Sequence, residues 1–254
     1  MSVTVVVGAA KGIGRAVALR AGQSSGHIAI LDISAEGLDD VASRIGRQVS
    51  THVVDIRDSD AVLAIVAGIE DSYGPITALA HVAGILDTGS VLDSDAADWR
   101  NVFDVNVFGL LNVVQAVGSR MRARKTGSIV VVGSNAAGVP RMSMGAYGSS
   151  KSAATMLTRI LGLELAGHGV RANIVAPGST DTDMQRSLWA NPTDDSNADS
   201  VVAGDLATFK AGIPLGRIAS ADDIADAVEF LLSDRARHIT MQSLYVDGGA
   251  TLRA

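Results

Sequence analysis

Short runs of β-branched and aliphatic residues alternate along the chain with longer stretches in which apolar side chains recur every three or four positions. The short runs, Val3–Val7, His27–Leu31, Val49–Val54, Ile76–Ala80, Ser128–Val132, Val170–Val175 and Leu244–Val246, predict seven strands. Most are apolar throughout rather than alternating, as a parallel sheet covered on both faces requires. The longer stretches predict helices near 13–23, 35–45, 58–72, 97–122, 147–166 and 221–233. Strand and helix in steady alternation imply right-handed crossovers, and hence a doubly wound α/β fold: a seven-stranded parallel sheet with helices on both faces. Residues 1–254 read as a single domain. The segment 179–214 breaks the rhythm with the polar run Asn191-Pro192-Thr193-Asp194-Asp195-Ser196-Asn197, and its length marks it as a substrate lid.

Composition narrows the possible partners. With 47% hydrophobic and 19% charged residues the chain has a globular balance, and 27 glycines against 5 prolines suit tight strand-to-helix turns. A net charge of −6 offers no basic face for nucleic acid or an anionic membrane surface, so neither is expected as a partner. The absence of cysteine excludes disulfides, thiolate metal ligation and a cysteine nucleophile, and no metal site is read. The start of the chain enters a strand without a basic lead or a cleavage-like segment. No charge-free apolar stretch reaches membrane-spanning length, and a cytoplasmic location is expected.

Two motifs carry chemistry. Gly8-Ala9-Ala10-Lys11-Gly12-Ile13-Gly14 lies where the first strand turns into a helix. Glycines there allow a sharp turn and close approach of a pyrophosphate to the helix N-terminus. Asp32, ending the second strand, is placed to accept from ribose hydroxyls and to repel a 2′-phosphate, which favours NAD over NADP; the alternative is a helix N-cap. Lys11 pulls the other way, since a cation in the first turn would attract a 2′-phosphate. Asp55, after the third strand, is either an adenine contact or a loop carboxylate.

The second motif is Ala146-Tyr147-Gly148-Ser149-Ser150-Lys151, in which Tyr147 and Lys151 share one face of a helix start. A phenol is a poor base at neutral pH, and a neighbouring ammonium together with a positive nicotinamide would bring its pKa down. Ser134, at the end of the fifth strand, is placed to hold a substrate oxygen. Asn106, inside a predicted helix, suggests a kink held by an ordered water.

Together with His81-Val82-Ala83-Gly84, Pro177-Gly178 and Val246-Asp247-Gly248-Gly249, these residues resemble the short-chain dehydrogenase/reductase family over essentially the whole chain. The resemblance implies a Rossmann-type fold, a nicotinamide cofactor, an Asn106–Ser134–Tyr147–Lys151 proton relay and a homotetramer. It also implies nucleotide contacts from Gly8, Lys11, Gly12, Ile13, Gly14, Asp32, Asp55, Ile56, Ala83, Gly84, Tyr147, Lys151 and Thr180. Pro177, Gly178 and Thr182 would hold the carboxamide. Val7 and His81 depart from the threonine and asparagine that are usual in the family. Losing both partners of that hydrogen bond together is expected to leave no polar group stranded.

Within the family, Gly178-Ser179-Thr180-Asp181-Thr182-Asp183-Met184-Gln185-Arg186 with Ser187-Leu188-Trp189 is similar to the dihydrodihydroxybenzoate dehydrogenases of catechol-siderophore biosynthesis, as is Pro140-Arg141-Met142-Ser143-Met144. That similarity implies NAD-dependent oxidation of a carboxylated cyclic diol to a catechol acid. Arg141 is the first candidate for the substrate carboxylate and Arg186 the second, with Met142, Met144 and Gln185 nearby. Other oxidoreductases of the family, acting on a related cyclic hydroxy acid or reducing a 3-oxoacyl carrier protein, remain open. So does a dinucleotide-sensing binding protein without catalysis.

Overall fold

A computed structural model describes residues 2–23, 26–46 and 48–252. Seven parallel strands form one sheet: β1 Val3–Val7, β2 His27–Asp32, β3 Val49–Val53, β4 Ile76–His81, β5 Gly127–Val132, β6 Val170–Pro177 and β7 Ser243–Val246. Their order is β3-β2-β1-β4-β5-β6-β7. Connections therefore run outward in both directions from β1 and β4, and the crevice beyond the carboxyl ends of these two strands is where such sheets bind ligands.

One face is covered by α1 (Gly12–Ala21), α2 (Ala35–Ile45) and α9 (Ala221–Leu232). Val17, Ala18, Leu38, Val41, Ile224 and Val228 pack there on Val6, Ile28 and Ile30. The other face carries α3 (Ser59–Tyr73), α5 (Leu110–Arg124) and α6 (Gly145–Ala166), with Val62, Val66, Leu110, Val117 and Ala154 on Val5, Leu79 and Ile129. The near-continuous apolar strands thus reflect burial on both sides, as expected.

The predicted helix over 97–122 is broken. It runs as α4 (Ala96–Phe103), one π-helical turn over Asp104–Gly109, then α5. The whole run, Ala96–Arg124, meets the length and composition of a membrane span, although half of its most apolar window is buried in the fold. The sequence expectation rested on charge-free length, which Asp104 and Arg120 cut short. Arg120 and Arg124 both pair with Glu70 of α3.

The lid also differs from expectation, because it has structure of its own. It contains α7 (Asp183–Arg186), α8 (Asn197–Ala203) and a tight hairpin in which Asp205 and Lys210 pair. Val201 and Ile213 form a small core with Ala250 that fastens the lid to the end of the sheet.

Candidate active site

The glycine-rich turn is held by contacts that only hydrogen side chains permit. Gly8 has φ +82, and a Cβ on it would lie 2.5 Å from the Ala83 nitrogen. A Cβ on Gly14 would lie 1.7 Å from the Gly8 carbonyl oxygen, so the first turn of α1 sits directly on the loop leaving β1. Gly12 has φ +53 and faces the Thr182 methyl group at the start of the lid. This bare backbone at a helix N-terminus fits a dinucleotide pyrophosphate. Ile13 packs against the core, whereas Lys11 is exposed at the N-cap position.

Asp32 accepts from the Ala10 amide at 3.0 Å and the Ser34 amide at 3.1 Å, bracing the glycine-rich turn against the end of β2. The capping role belongs to Ser34, whose hydroxyl accepts from Gly37 N. Asp55 is engaged by Arg57, whose Nε donates to both carboxylate oxygens at 3.0 and 2.9 Å; that guanidinium holds the Asp55 carboxyl below its ordinary pKa. The Ile56 side chain is buried in the core, and its carbonyl accepts from Asn112, a tie that sequence reasoning missed.

The departure at Val7 and His81 has a different outcome from the one expected. The Val7 carbonyl accepts from both Val82 N (2.9 Å) and Ala83 N (3.0 Å), so backbone alone ties the first turn to the fourth strand. His81, however, is 2% exposed and neither ring nitrogen has a partner among the described residues. A polar group is stranded after all, because the position kept a polar side chain while its counterpart became apolar. Burial, helped by the nearby Lys151 charge, pushes the His81 pKa down to about 3.

Asn106 sits in the π-helical turn, 3% exposed. Its Nδ2 donates to the Ile85 carbonyl (2.9 Å) and Ser150 Oγ (3.0 Å), and its Oδ1 accepts from Ile85 N (2.8 Å). The kink expected there is a π-helical turn, and its carboxamide is held by protein groups. A Cβ on Gly84 would meet both Asn106 Oδ1 and Lys151 Nζ at 3.1 Å, which places these polar groups beside the loop after β4.

Ser134 lies two residues beyond β5 and caps the short 3₁₀ turn that follows, accepting from Ala136 N. It also hydrogen-bonds the Tyr147 phenol. Tyr147 and Lys151 lie on successive turns of α6, with Nζ 5.8 Å from the ring centroid. The ammonium donates to the Val132 carbonyl at 3.1 Å, and burial pushes its pKa down to about 8. Burial pushes the Tyr147 phenol up, opposed by Ser134 and then by the Arg141 charge. Burial is the largest of these influences, whereas the lowering expected from sequence counted a positive nicotinamide beside Lys151.

Pro177 closes β6. The Gly178 amide donates to Val246 O, and a Cβ there would lie 2.6 Å from Asp247 Cβ. Thr180 is buried and donates to Gly178 O, while Thr182 caps α7 by accepting from Gln185 N. Asp247 is buried and accepts from Asn135, Gly249 and Thr251, locking the end of the chain to the residue after Ser134. Neither Asn135 nor Asp247 was assigned a role from sequence, although the Asp-Gly-Gly run was visible.

The substrate candidates separate. Arg141 is half-buried within electrostatic range of Tyr147 and Asp247. Arg186 is committed elsewhere: to Asp181 through Nε (2.6 Å) and Nη2, to Asp195 and Pro192 O through Nη1, and over the Trp189 ring at 4.9 Å. It fastens the lid to itself, which removes it as a free carboxylate ligand. Met144 precedes α6 and pairs with Gly89, Gln185 is half-buried, and Met142 is 60% exposed.

A family described as Enoyl-(Acyl carrier protein) reductase matches residues 8–251. A 2,3-dihydro-2,3-dihydroxybenzoate dehydrogenase of Bacillus subtilis is 51% identical, the match covering 98% of this chain and 96% of that one. The vibriobactin-specific 2,3-dihydro-2,3-dihydroxybenzoate dehydrogenase of Vibrio cholerae is 42% identical over 99% and 96%. A solved structure described as a short chain dehydrogenase/reductase family protein superposes with a TM-score of 0.86 at 32% identity, covering 99% of this chain and 97% of that one. With the parallel sheet, the glycine cradle and the Ser134–Tyr147–Lys151 cluster, these similarities establish that the chain belongs to the short-chain dehydrogenase/reductase family.

Proposed function

We propose that the protein oxidises 2,3-dihydro-2,3-dihydroxybenzoate to 2,3-dihydroxybenzoate with NAD, in the cytoplasm, as a step of siderophore biosynthesis. The observation that carries this reading is the enclosed Tyr147 phenol, bonded to Ser134 and faced by the Arg141 cation, beside a cradle shaped for a dinucleotide. The two dihydrodihydroxybenzoate dehydrogenases similar to this chain support the same substrate.

NAD supplies the hydride acceptor when bound. Gly8, Gly12, Gly14, Asp32, Asp55, Ala83, Gly84, Gly178 and Thr182 are the residues that would hold it, and Asp32 is the basis for choosing NAD over NADP. Ser134 holds the oxygen of the substrate 3-hydroxyl, and Tyr147 takes its proton. Lys151 stays protonated below about pH 8 and keeps the phenolate favourable. The Asn106 carboxamide fixes the loop beside Lys151 through Ile85. The ketone left by hydride loss tautomerises, releasing a ring proton, and the aromatic catechol makes the oxidation favourable. Arg141 is the group that would bind the substrate carboxylate.

Exposed apolar side chains Phe108, Met156, Ile160 and Leu163 support the homotetramer, since they lie on the π-turn and α6 with nothing covering them in one chain. No nucleic acid or membrane partner is proposed.

The test is incubation with NAD and the dihydrodiol, following NADH absorbance and the fluorescence of the catechol acid. Both signals should appear together. Tyr147→Phe should lower turnover by roughly 10²–10⁴-fold while NADH binding persists. Absence of turnover with the dihydrodiol, alongside NADPH-dependent reduction of a 3-oxoacyl carrier substrate, would overturn the assignment.

A further inference from the structure

The turn that carries Ser134 is open on one side. Ser134, Ala137 and Gly138 border a cavity of about 80 Å³ lined also by Thr155, Arg159 and Tyr245. That space is roomy enough for water, so packing does not hold the turn there. Its start is tied by Gly133 N to the Val175 carbonyl at 2.8 Å, and its end by Ser152 Oγ to the Ala137 carbonyl at 2.7 Å. The bonds from Ala136 N, Ala137 N and Gly138 N return to Ser134 and Asn135 themselves. Such local bonds shape the turn without anchoring it to the sheet.

The Asn135 side chain supplies an anchor between these two ends. Asn135 is 4% exposed, and its Nδ2 donates to Asp247 Oδ2 at 3.3 Å. Asp247 is itself buried and is fixed by its own loop, with Gly249 N on Oδ1 at 3.0 Å and the Thr251 hydroxyl on Oδ2. A buried carboxylate held in this way is a stiff acceptor, because removing one of its donors leaves desolvation uncompensated.

The same pair underlies the loop after β6. A Cβ on Gly178 would lie 2.6 Å from Asp247 Cβ and 3.5 Å from Asn135 Nδ2. Gly178 N also donates to Val246 O, the residue before Asp247. The segments leaving β5, β6 and β7 therefore meet on one hydrogen-bonded pair, at the carboxyl ends of adjacent strands. Tyr147 rides on α6 and Ser134 on this turn, so the spacing of their hydroxyls depends on how firmly the turn is held.

We propose that Asn135 and Asp247 are positioning residues that hold Ser134 Oγ in register with the Tyr147 phenol. The assignment rests on the proposed reading of Tyr147 as the base and Ser134 as its partner, and deepens it. The pair acts through Ser134 and not on the substrate. Releasing the Asn135 side chain lets the turn shift toward the adjacent cavity, and a displacement of about 1 Å is enough to cost roughly a hundredfold in rate. One donor faces one acceptor here, so exchanging the two residues preserves the bond. An asparagine at 247 would donate to both 135 and Thr251 while its oxygen still accepts from Gly249 N. Two facing carboxylates would instead repel.

Asn135→Ala leaves the charges around the phenol in place: Lys151 on α6, Arg141 ahead of it, and Asp247 after β7. With NAD and the dihydrodiol, its kcat should fall roughly tenfold to a hundredfold while KM changes much less. The Tyr147 phenolate is read at saturating NAD without substrate, as the ultraviolet difference from Tyr147→Phe. In Asn135→Ala it should titrate at higher pH, because Ser134 no longer holds the phenol down. Ser134→Ala should move that midpoint as far, and the two substitutions together should move it no farther. Asn135→Asp should lose more turnover than Asn135→Ala, and adding Asp247→Asn should restore most of it. An unmoved midpoint, additive shifts, or an exchanged pair no better than Asn135→Asp overturns the assignment. A shifted midpoint in an enzyme that leaves the dihydrodiol untouched keeps the pair and discards the proposed substrate.

Discussion

His81 offers a direct measure of what a stranded side chain does to this fold. It closes β4 with 2% of its surface exposed and both ring nitrogens unpartnered among the described residues, and its pKa is pushed down to about 3. In the unfolded chain the imidazole returns to its ordinary value of 6.5. The unfolded state therefore binds a proton that the folded state refuses, so stability rises with pH across this interval and is lost as pH falls below about 6.5. Between about pH 7.5 and pH 5 the unfolded imidazole protonates almost fully while the folded one stays neutral, a loss of about 2 kcal/mol from this group alone. Any folded pKa below about 4 gives nearly the same loss, because the folded ring is still unprotonated at the lower pH.

His81→Leu should remove that loss. At neutral pH the change should be neutral or stabilising by about 1 kcal/mol, since an unpartnered buried imidazole gives way to an apolar group of similar volume. Urea unfolding of both proteins at the two pH values gives the comparison, with equal m values as the check that only stability has changed. His27 and His52 also have lowered pKa values from burial and weaken the fold in acid with the same sign, but they contribute equally to both proteins and cancel. Equal acid losses in wild type and His81→Leu would refute the reasoning.

Four further outcomes follow from the geometry. Gly14→Ala should abolish NADH binding in a fluorescence titration, because its Cβ would lie 1.7 Å from Gly8 O; Gly68→Ala, with open space in α3, should raise stability in urea by about 0.5–1 kcal/mol. Arg186→Leu should speed limited proteolysis within the lid while leaving the preference for carboxylated ligands intact, whereas a fall in that preference would return Arg186 to the substrate site. Arg141→Met should move the acid limb of the kcat/KM profile for an uncarboxylated diol to higher pH, since that cation holds the Tyr147 phenol down; an unmoved limb would separate Arg141 from the proton chemistry.

The doubly wound sheet was legible because burial on both faces demands apolar strands, and that demand is written in consecutive residues. The glycine turn was legible for a related reason: Gly8, Gly12 and Gly14 stand where a side chain cannot. Interactions between distant segments were harder to see. Nothing local to Asn106 predicts that its partners are Ile85 and Ser150, so sequence showed that the helix is distorted there but not what the side chain binds. Arg186 looked like a free cation because Asp181 and Asp195 meet it only when the lid folds back on itself.

The same contrast explains how the site divides its work. Tyr147, Lys151, Ser134 and Asn106 are fixed by strand ends and by α6, whose positions follow from the sheet. Enclosure there raises the phenol and lowers the ammonium, so the pair is poorly set for proton removal until charge enters the site. Arg141, the cation that would meet incoming charge, lies on a segment held more locally, ahead of α6. Proton chemistry is thus built into the rigid frame, and recognition into parts that sequence can vary without disturbing the sheet. A change of substrate within this fold therefore needs only such recognition residues to change, and for that reason Arg141 carries more information about the ligand than the catalytic residues do.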